Sequence, residues 1–154
     1  MADPGNCLKA RIRKGGSILG CIGGRANMGR ERFQALVSRG IYDFILFDSQ
    51  HSPVSEDSLT ELCGIGQELD FPVFFRIKHT RQAYLIGTTL DLGPSGIEVP
   101  QVEEIATAKE AVDSFYFPRD GTRSIGGVFR VGAEHHPDPL DYFEWWNNHG
   151  VLML

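Results

Sequence analysis

The sequence contains no run of about 18 apolar residues, the length a helix needs to cross a bilayer, so no membrane partner is expected. An apolar stretch is also missing from the N-terminus. MADPGNCLKARIRKGG carries charge and glycine where a secretory signal would be hydrophobic, which points to a cytoplasmic location. Cysteine is scarce: Cys7, Cys21 and Cys63 are an odd number at wide spacings with no CxxC pair, which excludes a disulfide framework and a zinc ribbon. Positive charge is short as well, with 15 Lys plus Arg against 20 Asp plus Glu and a formal net charge of -5. The basic residues are scattered, so the chain lacks the electrostatic footprint of a nucleic-acid binder. What remains is the composition of one globular domain over 1–154, 42% hydrophobic and 23% charged, which excludes disordered, collagen-like and coiled-coil readings.

Short, nearly continuous apolar runs lie at 17–22, 43–47, 72–77, 96–100 and 151–154, each bounded by turn residues. Continuous runs, unlike alternating ones, predict strands buried on both faces. Helical spacing fills the gaps at 30–39, 55–69, 81–92 and 102–115, with Ser55 as a cap before Asp57 and with Gly40 and Gly93 where helices must stop. Regular β/α alternation predicts a parallel sheet with right-handed crossovers, either an open doubly wound sheet or part of a (β/α)8 barrel. A full barrel takes about 250 residues. Five strands ending at Leu154 match the first five of eight, a truncated barrel. Beyond Phe115 the periodicity breaks into a loop rich in glycine and proline, followed by an aromatic segment at 139–148 whose Tyr142, Phe143, Trp145 and Trp146 read as packing residues.

Parallel α/β architectures put function at the C-terminal ends of strands. Asp48, Gln50 and His51 end the second strand, Arg76, Lys78 and His79 the third, and Glu98 and Gln101 surround the fourth. A carboxylate three residues before an imidazole can fix its tautomer and raise its basicity, so Asp48 and His51 are candidate catalytic residues, set against a loop-capping Asp48 and a solvated His51. A guanidinium held at the end of a strand suits a carboxylate or a ketone oxygen, which makes Arg76 both a catalytic and a substrate-binding candidate, with Gln101 beside it. The bland alternative for Arg76 is an ion pair with Asp48 or Glu98. Glu98 points to the opposite face from Ile97 and Val99, either the barrel interior or the helix layer. GCIGGRANMG, at 20–29, fits neither nucleotide-binding glycine pattern. PRDGTRSIGG, with Arg119 and Arg123, suggests a lid over an anionic substrate or a contact with a neighbouring subunit. His135 and His136 read as solvated.

LKARIRKGGSILG, YDFILFDSQH, FFRI, GIEVPQV and PRDGTRSIGG, in that order and spacing, resemble the HpcH/HpaI aldolase family from Leu8 to Leu154. Details such as GQELDFPVFFRIKHTRQAYLI and DYFEWWNNHG are similar to its fungal macrophomate synthase-like members. The resemblance implies a (β/α)8 barrel of the class II, metal-dependent aldolases, carbon-carbon lyases that assemble as homo-oligomers (hexamers). Their small-molecule substrate is a 2-oxo acid, pyruvate or an oxaloacetate-derived one, converted to an enolate. On this resemblance His51 with Asp48 is the acid/base pair, and Arg76 binds the keto oxygen and stabilises the enolate. The implied cofactor is Mg2+ or another hard divalent cation such as Mn2+. Its two carboxylate ligands, a Glu at the end of strand five and an Asp after strand six, would lie beyond Leu154, and neither Glu98 nor Asp113 is a substitute. No metal ligand is therefore assigned here, and the expectation is impaired activity. The alternative is a non-catalytic domain of the same fold that oligomerises or binds anions.

Overall fold

The computed structural model describes residues 7–24 and 29–154. Its elements run α1 (Leu8–Arg13), β1 (Gly20–Gly23), α2 (Arg30–Val37), β2 (Phe44–Asp48), α3 (Glu56–Glu68), β3 (Val73–Arg76), a 3-10 turn (Thr80–Leu85), α4 (Ile86–Leu90), β4 (Gly96–Glu98), α5 (Ile105–Phe115), α6 (Pro139–His149) and β5 (Val151–Met153). The five strands form one parallel sheet in the order β1-β2-β3-β4-β5. A doubly wound sheet reverses its strand order at a switch point. This one never does, which selects the barrel-type arrangement over the open one. Among the described residues no helix is long and apolar enough to cross a membrane.

Each strand's two faces have different jobs. Ile45, Phe47, Val73, Phe75 and Ile97 pack outward into the large core shared with Phe33 of α2, Leu59 and Leu62 of α3, Ile86 and Leu90 of α4, and Phe115 of α5. The inner face holds a smaller cluster of Phe44, Leu46, Phe74 and Val151, closed at one end by Leu8 and Ile18. Parallel register lines the inner residues into rows: Ile22, Leu46, Phe74, Gly96 and Val151 form one, and Asp48, Arg76, Glu98 and Met153 the next toward the C-terminal ends. Gly96 is required in its row, since a Cβ there would stand 2.6 Å from the Phe74 ring. Gly20 and Ile22 of β1 border the same inner cavity as Glu98 and Met153, so the sheet curls as a barrel wall does.

The structure shifts some boundaries. Asp48 belongs to β2 itself, because it pairs in register with Arg76. Ser55 caps α3 by accepting from the Ser58 N–H at 3.2 Å, and Gly40 and Gly93 end helices at φ +62° and +110°. The segment at 81–92 splits into the 3-10 turn and α4. Helix α1 was hidden in the charged N-terminus. The glycine-rich segment 20–29 begins as β1, and its residues 25–28 lie outside the described residues.

The loop after α5 is no lid over the row containing Asp48 and Arg76. Its Gly127 packs on Asp91, which caps the end of α4, and its Phe129 carbonyl accepts from Gln67 in the last turn of α3 at 3.3 Å, so both partners stand just before a strand begins. It therefore lies at the N-terminal ends of the strands, opposite the candidate site. Arg123 is fully buried there, stacked between Phe117 and Trp146 and paired with Asp91 at 3.0 Å. His136 is not solvated but stacks on Trp145, which also stacks on His149. The aromatic residues of α6 are packing residues, with Tyr142 and Trp146 buried.

Candidate active site

At the C-terminal end of the sheet, β2, β3 and β4 bring Asp48, Arg76 and Glu98 side by side on the inner face. Asp48 Oδ1 accepts from Arg76 Nε at 2.8 Å, and Oδ2 accepts from Nη2. This side-on, two-pronged grip is the strong form of a guanidinium-carboxylate pair. Glu98 Oε1 lies 3.5 Å from Nη1, a looser contact. The hydrogen bond from Arg76, reinforced by backbone N–H donors, holds the Asp48 carboxyl below the usual carboxylate range against the opposing effect of burial. The same bond holds the Arg76 guanidinium more firmly protonated.

Asp48 does not grip the His51 imidazole. Its Oδ1 accepts from the backbone N–H groups of Gln50 at 2.8 Å and His51 at 3.4 Å, shaping the turn that follows β2, and from Arg76 Nε as well, while Oδ2 accepts from Arg76 Nη2. The His51 side chain stands exposed at the rim. The reason is topological: strand register sets Asp48 beside Arg76, and the backbone of His51 turns away one step later.

Gln101 lies across the rim from Gln50 and accepts from its Nε2 at 3.4 Å. Its backbone sits at φ +53°, the left-handed region a non-glycine residue adopts at a cost, and such strain concentrates at functional sites. His79 is occupied in capping the 3-10 turn, where Nδ1 accepts from the Arg81 N–H at 3.1 Å, and Lys78 is exposed. Glu98 is the residue whose place the periodicity left open. The register settles it on the inner face, one strand from Arg76.

A hard dication needs oxygen donors free of a competing cation. Here both carboxylates of the row face Arg76, and among the described residues no group of three or more His, Cys, Asp and Glu side chains is placed to hold a metal ion. The residues present do not fit Mg2+ or Mn2+. The chemistry they do supply is a fixed cation whose Nη1 is met only loosely, by Glu98 at 3.5 Å, together with an exposed imidazole and two rim amides.

No family model matches the chain. Its sequence is 28% identical over 155 residues to a hydroxypyruvate/pyruvate aldolase of Roseovarius nubinhibens, covering 100% of this chain and 58% of that protein. It is 30% identical over 153 residues to a hydroxypyruvate/pyruvate aldolase of Sagittula stellata, covering 98% and 57%. A 2-keto-3-deoxy-L-rhamnonate aldolase of Klebsiella pneumoniae is 33% identical over 92 residues, 58% of this chain and 34% of that one. Among solved structures, an HpcH/HpaI aldolase from Desulfitobacterium hafniense superposes with a TM-score of 0.78 at 19% identity, covering 95% of this chain and 55% of that one. Macrophomate synthase gives a TM-score of 0.73 at 19% identity, covering 95% and 52%. The chain thus spans little more than half the length of the proteins it matches over its whole extent.

Proposed function

We propose, from a chain that is aldolase-like in sequence and carries the fold of the N-terminal half of the HpcH/HpaI aldolases, that these residues form the 2-oxo-acid side of a class II carbon-carbon lyase site. The observation that supports this most directly is the Arg76 guanidinium, gripped side-on by Asp48 so that its Nη1, met only loosely by Glu98, is left on the inner face. A 2-oxo acid such as pyruvate would bind that edge through its keto oxygen. The cation then stabilises negative charge as it develops on that oxygen when a proton leaves C3, the enolate of an aldol or retro-aldol step. His51, exposed at the rim and without a side-chain hydrogen bond among the described residues, takes or returns the C3 proton. Asp48 acts as a positioning residue for Arg76, and Gln101 holds the substrate at the rim.

Metal dependence is part of the proposal only through the likeness to class II aldolases, since the described residues do not fit Mg2+ or Mn2+. With guanidinium as the sole fixed cation, enolisation by the 154 residues alone is expected to be slow. The test is loss of the pyruvate methyl proton signal in D2O, followed by proton NMR with and without Mg2+. Slow exchange above the buffer rate, abolished in Arg76→Met, supports the reading. Exchange at buffer rate in every protein removes it, and rapid exchange that requires Mg2+ would show that the carboxylates rearrange to hold the metal, contrary to the expected impairment.

A non-catalytic, self-associating or anion-binding domain is the second reading. It is favoured by Ile22, an inner-face residue 69% exposed in the single chain. Sedimentation that shows stable oligomers, together with an absence of methyl exchange, would select it.

A further inference from the structure

The edge of Arg76 that the oxo acid would occupy already has an occupant. Asp48 takes Nε and Nη2 from the side, which leaves the end-on fork between Nη1 and Nη2. Glu98 Oε1 stands 3.5 Å from Nη1, a separation longer than a good charge-assisted hydrogen bond. Among the described residues the Glu98 carboxylate meets no other hydrogen-bond partner, while its neighbours across the inner cavity are Ile22, Phe44, Leu46 and Met153, none of which competes for it. The row Asp48, Arg76, Glu98 carries two negative charges and one positive, so an anion arriving at Arg76 enters a net negative surrounding.

We propose that Glu98 is a specificity-determining residue, an internal competitor for the Arg76 Nη edge that admits a singly charged 2-oxo acid and disfavours one with a second carboxylate. The proposal rests on the reading of Arg76 as the oxo-acid site. Asp48, bidentate and buried, keeps its grip when substrate binds. Glu98, monodentate, more exposed and loosely held, is the partner that gives way. A displaced Glu98 remains one strand away, near enough for its charge to oppose each negative group on the ligand. A monocarboxylate meets that repulsion once and a dicarboxylate twice. The interaction is between partly exposed groups, so salt weakens it.

The test compares pyruvate with 2-oxoglutarate by isothermal titration into the 154-residue chain carrying Glu98, Glu98→Gln or Glu98→Ala, each also combined with Arg76→Met. Glu98→Gln keeps the shape and removes the charge. It is expected to tighten pyruvate by about tenfold and 2-oxoglutarate by about a hundredfold, so that discrimination shrinks about tenfold, with both gains smaller at high salt. Glu98→Ala gives the same direction and decides the matter should the Gln variant fail to fold. Unchanged affinities in both variants overturn the proposal while leaving Arg76 as the oxo-acid site. Gains that persist with Arg76→Met also overturn it, since the effect would not act through that edge. Binding of pyruvate by none of the proteins overturns the oxo-acid reading, and the proposal with it.

Discussion

Asp48 and Arg76 stand opposite one another in the register of β2 and β3, and the carboxylate takes the guanidinium by its side, Nε at 2.8 Å and Nη2 with it. The pair fixes the direction in which the remaining Nη edge points. Asp48→Asn removes the charge and one acceptor and leaves the partly buried cation with only the loose Glu98 contact, so a loss of about 2 kcal/mol is expected in urea unfolding. Because the folded-state pKa of Asp48 lies below its unfolded value, the stabilisation is present above about pH 4 and lost as pH falls through the folded pKa. The wild-type chain should therefore lose stability in acid more steeply than Asp48→Asn.

On the proposed reading, His51 serves the proton transfer without contributing to stability. Its side chain is exposed and makes no hydrogen bond among the described residues, so His51→Asn should leave the stability within about 0.5 kcal/mol of wild type. Methyl-proton exchange of pyruvate should fall by about a hundredfold relative to wild type, within the range of general acid-base contributions, with pyruvate affinity retained. Equal exchange rates in the two proteins would remove His51 from the proton transfer.

His149 gives the fold a second acid sensitivity, far from the site. Burial, with lesser contributions from Lys9 and His136, lowers its pKa from 6.5 to about 4, while Asp70 acts weakly in the other direction. Between those values the unfolded chain binds a proton that the folded chain refuses. Stability is therefore complete above about pH 6.5 and declines as pH falls toward 4, by at most about 3 kcal/mol. In His149→Gln, urea midpoints measured across this window should show a shallower slope.

Gly96 is a packing constraint on the inner face. A Cβ at that position meets the Phe74 ring, which is itself stacked on Phe44 with centroids 4.2 Å apart and cannot retreat freely. Gly96→Ala is expected to cost about 2 kcal/mol by overpacking, read as a lowered thermal midpoint. An unchanged midpoint would mean that the two phenyl rings can slide.

Sequence patterns carried the fold further than the site. Phe44, Ile45, Leu46 and Phe47 are all buried, as a continuous apolar run implies, and Ser55, Gly40 and Gly93 punctuate the helices where their chemistry demands. Asp48, Arg76 and Gln101 were legible as strand-end polar residues because the architecture gathers such residues at one end. Their contacts were legible only as alternatives, an ion pair of Arg76 with Asp48 or Glu98 and a loop-capping Asp48, because the choice among them depends on register. An alternating pattern fixes the face of Glu98 relative to Ile97 but not which face looks inward, and spacing in sequence suggests a bond from Asp48 to His51 that strand pairing redirects to Arg76. The loop carrying Arg123 misled for a similar reason. Glycine, proline and arginine announce a loop but not the end of the sheet on which it lies.

Every strand here lies beside the strand that precedes it in the chain, and each pairing is closed by the segment between them. A ribosome delivers residues in that same order. Each β/α unit can dock on an edge already formed, with no strand waiting for a distant partner and none inserted between two others. The sheet can therefore be laid down as it is synthesised, and the growing edge at any moment is the one the next strand will cover. Order of emergence and order in space coincide, which keeps the interval during which an unpaired apolar strand is open to another chain short.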